Sequence, residues 1–303
     1  MRRILLVAAA ALPLLVLAVT TGLGTTTSQA AAPKKAAAIA EAKMAAAMAY
    51  SGQVDGKPAK NLESLEKWTR ALTGESRKDV RPSSPEFALP KDGKAQPLSN
   101  QKRAELQTRY LPFEQVTDYY CGPATVMSML HFLGATEAKI KNHDGGIDRL
   151  NGDPVHDQRL LAGDFWLATE KYNGTMWGEG YVPFALNGFL GTDWYVLEGT
   201  PNVGGDLTKD KALAAIRYDT DRGYPVAENV LYSPETYYPA GFWPGITYMH
   251  WDTVFGHYKE GNGRQMVQIG QVYHSPTLPF ERYQSIPWDV HWDAIGKWYG
   301  IVW

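Results

Sequence analysis

The sequence predicts an α+β fold, because helical patterns come first along the chain and strand patterns follow. Between residues 121 and 133 apolar side chains recur at helical spacing, and Gly134 follows as a stop signal. Strand-like segments at 247–258 and 265–273 flank residues 260–264, whose Gly and Asn content indicates a hairpin turn. The remaining predicted elements are helices at 33–50, 62–72, 164–172 and 209–219 and a strand at 224–231.

The composition is that of a soluble globular protein. The 303 residues are 44% hydrophobic and 20% charged, with a formal net charge of -2. A nearly neutral chain has no basic field that would attract a polyanion. We therefore expect no nucleic-acid partner.

The first thirty residues have the pattern of a secretory signal peptide. Arg2 and Arg3 precede an apolar run at 4–19, and small residues crowd positions 28–32. The run of 16 residues falls at or just below the roughly 17 that span a bilayer, so we expect membrane attachment only if the signal stays uncleaved. The predicted organisation is a signal peptide at 1–30, an Ala-rich helix and Pro-rich linker or pro-segment at 31–105, and one domain at 106–303. The protein is expected to be secreted or associated with the cell surface.

The only cysteine, Cys121, is the first candidate functional residue. It has no partner for an internal disulfide, and a free thiol outside the cytosol is liable to oxidation. Pro123 suits the first turn of a helix, and Gly122 lets a substrate approach the backbone. Cys121 is thus predicted at a helix start, where the helix dipole favours the thiolate of a nucleophile. The alternative is an inert structural cysteine.

The stretch from Gln115 to Ala124, which contains Tyr-Cys-Gly-Pro-Ala, resembles the papain-like cysteine peptidases. It is most similar to the bacteriocin-processing (double-glycine leader) peptidases and their secreted relatives. The resemblance covers residues 110–276 and implies a papain-like fold, with a helical part carrying the cysteine and a C-terminal antiparallel sheet carrying the histidine. It also implies that Cys121 is the nucleophile and that Gln115 supplies an amide to the oxyanion hole.

The resemblance further implies that His250 is the catalytic base. His250 opens a predicted strand, Gly256 follows six residues later, and residues 223–226 resemble the Gly-x-Pro-Val strand that precedes the histidine strand in that family. His257 lies seven residues beyond His250 and is expected to face the other side of a regular strand, packed or solvated.

The other histidines indicate neither a base nor a metal site. His131 lies ten residues along the Cys121 helix, about 15 Å from its start. His143 and His156 lie in an acidic, Gly-rich loop whose spacing matches no metal motif. We therefore expect no metal and no cofactor.

The third member of a catalytic triad is ambiguous. If the hairpin turn centres on Asn262, residue 250 pairs with residue 274 or its neighbour, where the family has Asp-Pro and this chain has Ser275-Pro276. Three alternatives stay open: a Cys-His dyad oriented by Ser275, a weakened enzyme, or a carboxylate recruited from Asp252, Asp289 or Asp293.

Together these features predict a secreted cysteine peptidase or amide hydrolase that forms an acyl-enzyme on a peptide or peptide-like amide. Its aromatic segments at 165–189 and 232–248 are expected to line the cleft or to belong to the core. The alternative is a catalytically weakened papain-like fold that serves as a peptide- or glycan-binding module.

Overall fold

The computed structural model describes residues 31–56, 62–73, 110–142, 144–273, 277–278 and 281–303. The predicted signal peptide, most of the predicted linker, His143 and Ser275 lie outside these ranges. None of the helices in the described part of the chain combines the length and the apolar character that crossing a membrane requires.

The described residues form eight α-helices and eight β-strands, which confirms the α+β class. The helices are α1 (Ala31–Val54), α2 (Leu62–Thr73), α3 (Cys121–Phe132), α4 (Pro154–Ala162), α5 (Thr169–Tyr172), α6 (Tyr181–Leu190), α7 (Lys209–Thr220) and α8 (Trp288–Gly296). The strands are β1 (Lys139–Lys141), β2 (Ile147–Arg149), β3 (Leu197–Gly199), β4 (Val226–Tyr232), β5 (Tyr248–Lys259), β6 (Gln265–Gly270), β7 (Tyr283–Pro287) and β8 (Gly300–Val302).

A six-stranded antiparallel sheet organises the fold. Its strand order is β3-β8-β4-β5-β6-β7, and β1 and β2 form a separate two-stranded ribbon. The hairpin between β5 and β6 is the predicted one, closed by a hydrogen bond from the Glu260 N–H to the Arg264 carbonyl at 2.9 Å. Gly263 has a φ of +84°, a left-handed conformation that glycine adopts without steric cost.

One local prediction was wrong, and a second falls on residues outside the described ranges. The segment 164–172 is helical only in α5, because Ala168 takes a left-handed φ of 49° and residues before it form turns. The predicted pairing of residue 250 with residue 274 or its neighbour stays a prediction, because residues 274–276 lie outside the described ranges and the described β5–β6 ladder ends at Thr253 opposite Gly270. A β-bulge between Val254 and Gly256 shifts the register by one residue before that point.

Helix α3 lies against β5, and this contact positions Cys121. The Thr125 hydroxyl donates a hydrogen bond of 3.0 Å to the carbonyl of Trp251, and both residues are buried. Ser128 accepts a bond of 2.9 Å from the backbone N–H of Phe113, which fixes the chain leading into α3. Nearly every residue of α3 is buried, so the helix is held on several sides and its first residue has a defined place.

Helices α1 and α2 share the core of the domain. Ile39, Ala46 and Tyr50 of α1 are buried in the same apolar cluster as the sheet and α3. Lys43 is fully buried, and its ammonium lies 3.2 Å from a carboxylate oxygen of Asp219 in α7. The Ala-rich predicted helix is thus a packed element of the fold within the residues described.

Candidate functional site

Cys121 opens onto a cleft of about 840 Å³. The cleft runs from the residues just before α3 to the loop at 172–178, the first turn after β3, and the adjoining faces of β4 and β5. Its principal side chains are Asp118, Tyr119, Tyr172, Met176, Trp177, Asn229, Met249, Trp251, Trp298 and Tyr299. A volume of this size accommodates a short peptide or a small molecule with several rings.

Aromatic rings stack along one wall of the cleft. Trp177 lies 5.8 Å from Trp251 with ring planes 24° apart, and 6.0 Å from Tyr299 with planes 9° apart. The indole N–H of Trp251 donates a 3.0 Å hydrogen bond to the carbonyl of Thr175, which ties the 172–178 loop to the sheet. This wall is a rigid, largely apolar surface for a ligand.

The sequence around Cys121 places its thiol at the first turn of α3. Tyr120 is the N-cap and makes no side-chain capping bond, so the first backbone N–H groups of the helix keep no side-chain partner there. Gly122 is required by its neighbour: a Cβ at this position would lie 2.0 Å from Oγ1 of Thr175. Within the Cys-Gly-Pro sequence, Gly122 therefore allows α3 to pack closely on the cleft wall, and Pro123 suits the start of the helix.

The thiol is protonated at neutral pH. Burial raises the pKa of Cys121 to about 11, although hydrogen bonds from the backbone N–H groups of Trp251 and Gly122 favour the thiolate. The negative charge of Asp252 raises the pKa further. The predicted dipole effect is thus outweighed by desolvation, and Cys121 is not a preformed thiolate.

His250 lies next along β5 to the residue that contacts the thiol, but its ring packs elsewhere. Successive strand residues face opposite sides, and Met249 and Trp251 line the cleft, so His250 faces the other side of the sheet. There it lies among Tyr232, Phe242 and Tyr273, with ring centroids 5.4–6.2 Å from its own. No hydrogen bond joins it to Cys121 within the described part of the chain.

One ring nitrogen of His250 nonetheless makes no hydrogen bond. This atom, Nε2, is buried and has no hydrogen-bond partner, and only 4% of the residue surface is exposed. Burial lowers the pKa of His250 to about 3, so the ring is neutral at pH 7 and a weak base in this position.

The structure does not bring Gln115 to the thiol. Its side-chain amide donates a 2.7 Å hydrogen bond to the Thr117 carbonyl, its backbone N–H bonds to the Val272 carbonyl at 2.8 Å, and it is not among the cleft residues. Ser275 lies outside the described residues. Of the three predicted catalytic residues within the described ranges, Cys121 alone lines the cleft.

Asp252, the alternative orienter, bonds to groups other than His250. It accepts hydrogen bonds from the Tyr232 hydroxyl and from Nε2 of Gln271, the latter at 2.9 Å. Glu228, its partner across the β4–β5 ladder, lies 2.5 Å from Nε2 of His291. Burial raises the pKa of Glu228 to about 8 and lowers that of His291 to about 4.

This cluster of buried polar groups behind the cleft was not predicted from the sequence. Its members come from β4, β5, the residue that follows β6, and α8, so no local motif marks them. Predicting that Glu228 and Asp252 lie on the same face of the sheet requires the β4–β5 register, which the sequence does not provide.

Metal binding has no support in the described residues, where no group of three or more His, Cys, Asp or Glu side chains could hold an ion. His131 and His156 both contact Asp157, at 3.2 and 2.9 Å. The same carboxylate also accepts the backbone N–H groups of Asn151 and Gly152. Through these hydrogen bonds Asp157 stabilises the loop before α4.

Comparison with known proteins found no match: no family model, no curated protein and no solved structure is similar to this chain.

Proposed function

We propose that this protein is a cysteine peptidase or related amide hydrolase, with a papain-like fold and Cys121 as its nucleophile. The observation that carries the proposal is the position of the Cys121 thiol, at the first turn of α3 and open to a cleft of about 840 Å³. A reactive thiol needs backbone donors around it and access to a substrate, and Cys121 has both.

In the proposed reaction the Cys121 sulfur attacks a substrate carbonyl carbon and its proton passes to His250. Backbone N–H groups that now face the sulfur, those of Gly122 and Trp251, lie where they could stabilise the oxyanion. The imidazolium gives its proton to the leaving amine as the amide C–N bond breaks. Water then hydrolyses the thioester and restores the free thiol.

The resting pair in this mechanism is neutral. A thiol with a pKa of about 11 and an imidazole with a pKa of about 3 do not exchange a proton in the absence of substrate. Because His250 faces the other side of the sheet, transfer of the proton to its ring would require a local rearrangement of β5 when substrate binds. The unpartnered Nε2 of His250 supports this role, because no hydrogen bond has to break for the ring to move.

The proposed substrate is a peptide or peptide-like amide that reaches the protein outside the cytosol. The signal pattern at 1–30 supports export, and the stacked wall of Trp177, Trp251 and Tyr299 supports a ligand with apolar or ring-bearing groups. Gln115 and Ser275 remain candidates for the oxyanion hole and for orienting the base.

A second candidate is a non-catalytic peptide- or glycan-binding module. The raised pKa of Cys121 and the packing of His250 away from the cleft favour it. Under this alternative the aromatic wall binds the ligand and no acyl-enzyme forms.

Alkylation of Cys121 at pH 7 tests the proposed dyad. A thiol with a pKa of about 11 is ionised to only about one part in ten thousand at pH 7, so unassisted alkylation is slow. In the proposed mechanism His250 acts only when the cleft is occupied, so the iodoacetamide rate should not change in His250→Ala. A substrate-like alkylating agent, a peptidyl chloromethyl ketone, should instead react about tenfold or more slowly with His250→Ala than with the wild type. His257→Ala is the matched control, because His257 is buried on the same strand but bonded to Asp221 at 3.0 Å.

An unchanged rate with the peptidyl chloromethyl ketone in His250→Ala would contradict the assignment of the base. Cleavage of a mixture of fluorogenic peptides tests the nucleophile itself: activity should vanish in Cys121→Ala. Activity that persists in Cys121→Ala would contradict Cys121 as the nucleophile, and absence of activity from the wild-type protein would favour the binding module.

A further inference from the structure

Asn229 lies in the wall of the Cys121 cleft and has an unsatisfied polar group. It stands directly opposite Trp251 in the β4–β5 ladder, and opposed residues of an antiparallel pair project from the same face. Both side chains accordingly line the cleft that contains the thiol. Only 5% of the Asn229 surface is exposed.

The carboxamide oxygen of Asn229 is buried and accepts no hydrogen bond. An unpaired buried acceptor costs free energy, and buried amides in folded proteins are nearly always paired. Threonine, leucine or valine would fill a β-strand position at lower cost. A polar side chain held without a protein partner at a cleft wall is explained if a ligand supplies the missing donor.

Another asparagine of the same protein, the half-buried Asn187, shows what a carboxamide can pair with. Asn187 donates from Nδ2 to the carbonyl of Tyr195 at 2.8 Å and accepts from the Tyr195 N–H at 2.8 Å. One side chain thereby satisfies both main-chain groups of one residue. The N–H and C=O of a residue in an extended chain point to the same side, which makes this pairing possible.

We propose that Asn229 binds the N–H and C=O of one residue of an extended peptide that lies in the cleft beside Cys121. This inference rests on the proposed peptide substrate and adds the group that recognises its main chain. The acceptor Oδ1 takes the peptide N–H, Nδ2 donates to the peptide carbonyl, and the stacked rings contact the neighbouring side chains. Asn229 is a specificity-determining residue: it selects an unsubstituted amide.

The test uses the full chain with Cys121→Ala, so that binding is measured without turnover. The probe is a pool of N-acetylated, C-amidated pentapeptides; retained members are identified by mass spectrometry and the tightest is titrated by calorimetry. Asn229→Leu in this background should raise the Kd about tenfold or more, as expected for losing two neutral hydrogen bonds. Asn262→Leu, the same change at the exposed β5–β6 turn, should leave the Kd unchanged.

Single N-methylation of the peptide supplies a readout that a structural role would not move. At one position of the peptide, N-methylation should raise the Kd for the Cys121→Ala protein about tenfold. The same N-methylation should not raise the Kd further when Asn229→Leu is also present. The melting temperature of Asn229→Leu should not fall, because leucine replaces an unpaired buried amide with apolar surface of similar size.

Three results would overturn the inference: an unchanged Kd in Asn229→Leu, no N-methyl position coupled to residue 229, or a melting temperature that falls together with binding. Failure of the pool to bind, or preferential binding of N-acetylglucosamine oligomers, would overturn the peptide class. Failure of the proposed hydrolase can be told apart from failure of this inference. If the wild-type protein cleaves no peptide but binds one in a way that depends on Asn229, the hydrolase is rejected and this inference stands.

Discussion

Replacing Lys43 by methionine should destabilise the domain severely. Lys43 belongs to α1, and its side chain is fully buried beneath α7. The ammonium lies 3.2 Å from Asp219, donates to the Trp194 carbonyl at 3.0 Å, and sits 4.2 Å and 4.5 Å from the ring centroids of Trp194 and Trp303. Methionine fills a similar volume but leaves the Asp219 carboxylate in the core without its cation.

The magnitude follows from the burial of both partners. Breaking one side of a fully buried ion pair costs about 3–5 kcal/mol, because the remaining charge loses its compensation. Lys35→Met is the matched control in the same helix: its ion pair with Asp193 is half exposed, so its loss should cost less than about 1 kcal/mol. Adding Asp219→Asn to Lys43→Met should recover much of the stability.

The loss should depend on pH with a defined sign. Burial raises the pKa of Asp219 and Lys43 opposes that rise, so the variant has a still higher pKa at this carboxyl. The unfolded chain releases that proton first as the pH increases, and unfolding is therefore favoured by rising pH. The difference between variant and wild type should be large at pH 7 and small near pH 4.

Urea unfolding followed by tryptophan fluorescence, at pH 4, 5.5 and 7, measures these free energies. A loss below about 1 kcal/mol at pH 7, or one that does not shrink toward pH 4, would refute the reasoning from a buried, compensated charge.

Two further predictions concern the cleft and the cluster behind it. Gly122→Ala should cost about 1–3 kcal/mol and weaken peptide binding, because the new Cβ collides with Thr175; Thr175→Gly should restore both, and normal melting and binding in the single variant would contradict the contact. Glu228 has a folded pKa of about 8, above its unfolded value, so its ionisation lowers stability as the pH rises from 4.5 to 8. Glu228→Gln should flatten that decline in melting temperature, and an identical pH profile in the variant would count against the buried, protonated carboxyl.

Local patterns allowed much of the fold to be predicted. The helix after Cys121, the helix α7 and the β5–β6 hairpin follow from apolar period and turn residues, which act over a few neighbouring positions. The C-terminal strands β7 and β8 and the intervening α8 were not predicted, because each strand is short and its pattern is no stronger than that of a loop.

The candidate site was harder to predict because it depends on contacts that are distant in sequence. Side-chain alternation along β5 predicts that His250 and Trp251 lie on opposite faces of the sheet. The sequence does not indicate which of these faces packs on α3, and in the structure the contact between Thr125 and Trp251 determines it. The bulge near Val254 shifts the β5–β6 register by one residue, and Ser275, the predicted partner for the base, lies outside the described residues. Asn229 carries no local signal at all, since its significance lies in a missing partner.

The docking of α1 and α2 on the core has a consequence for any maturation step. Neither helix contributes to the described lining of the cleft, whereas both are anchored by buried side chains such as Lys43 and Thr69. A protease that cut the connection between residue 73 and residue 110 would therefore produce two chains that stay associated. The amino-terminal fragment would then behave as a tightly bound subunit of the cut protein.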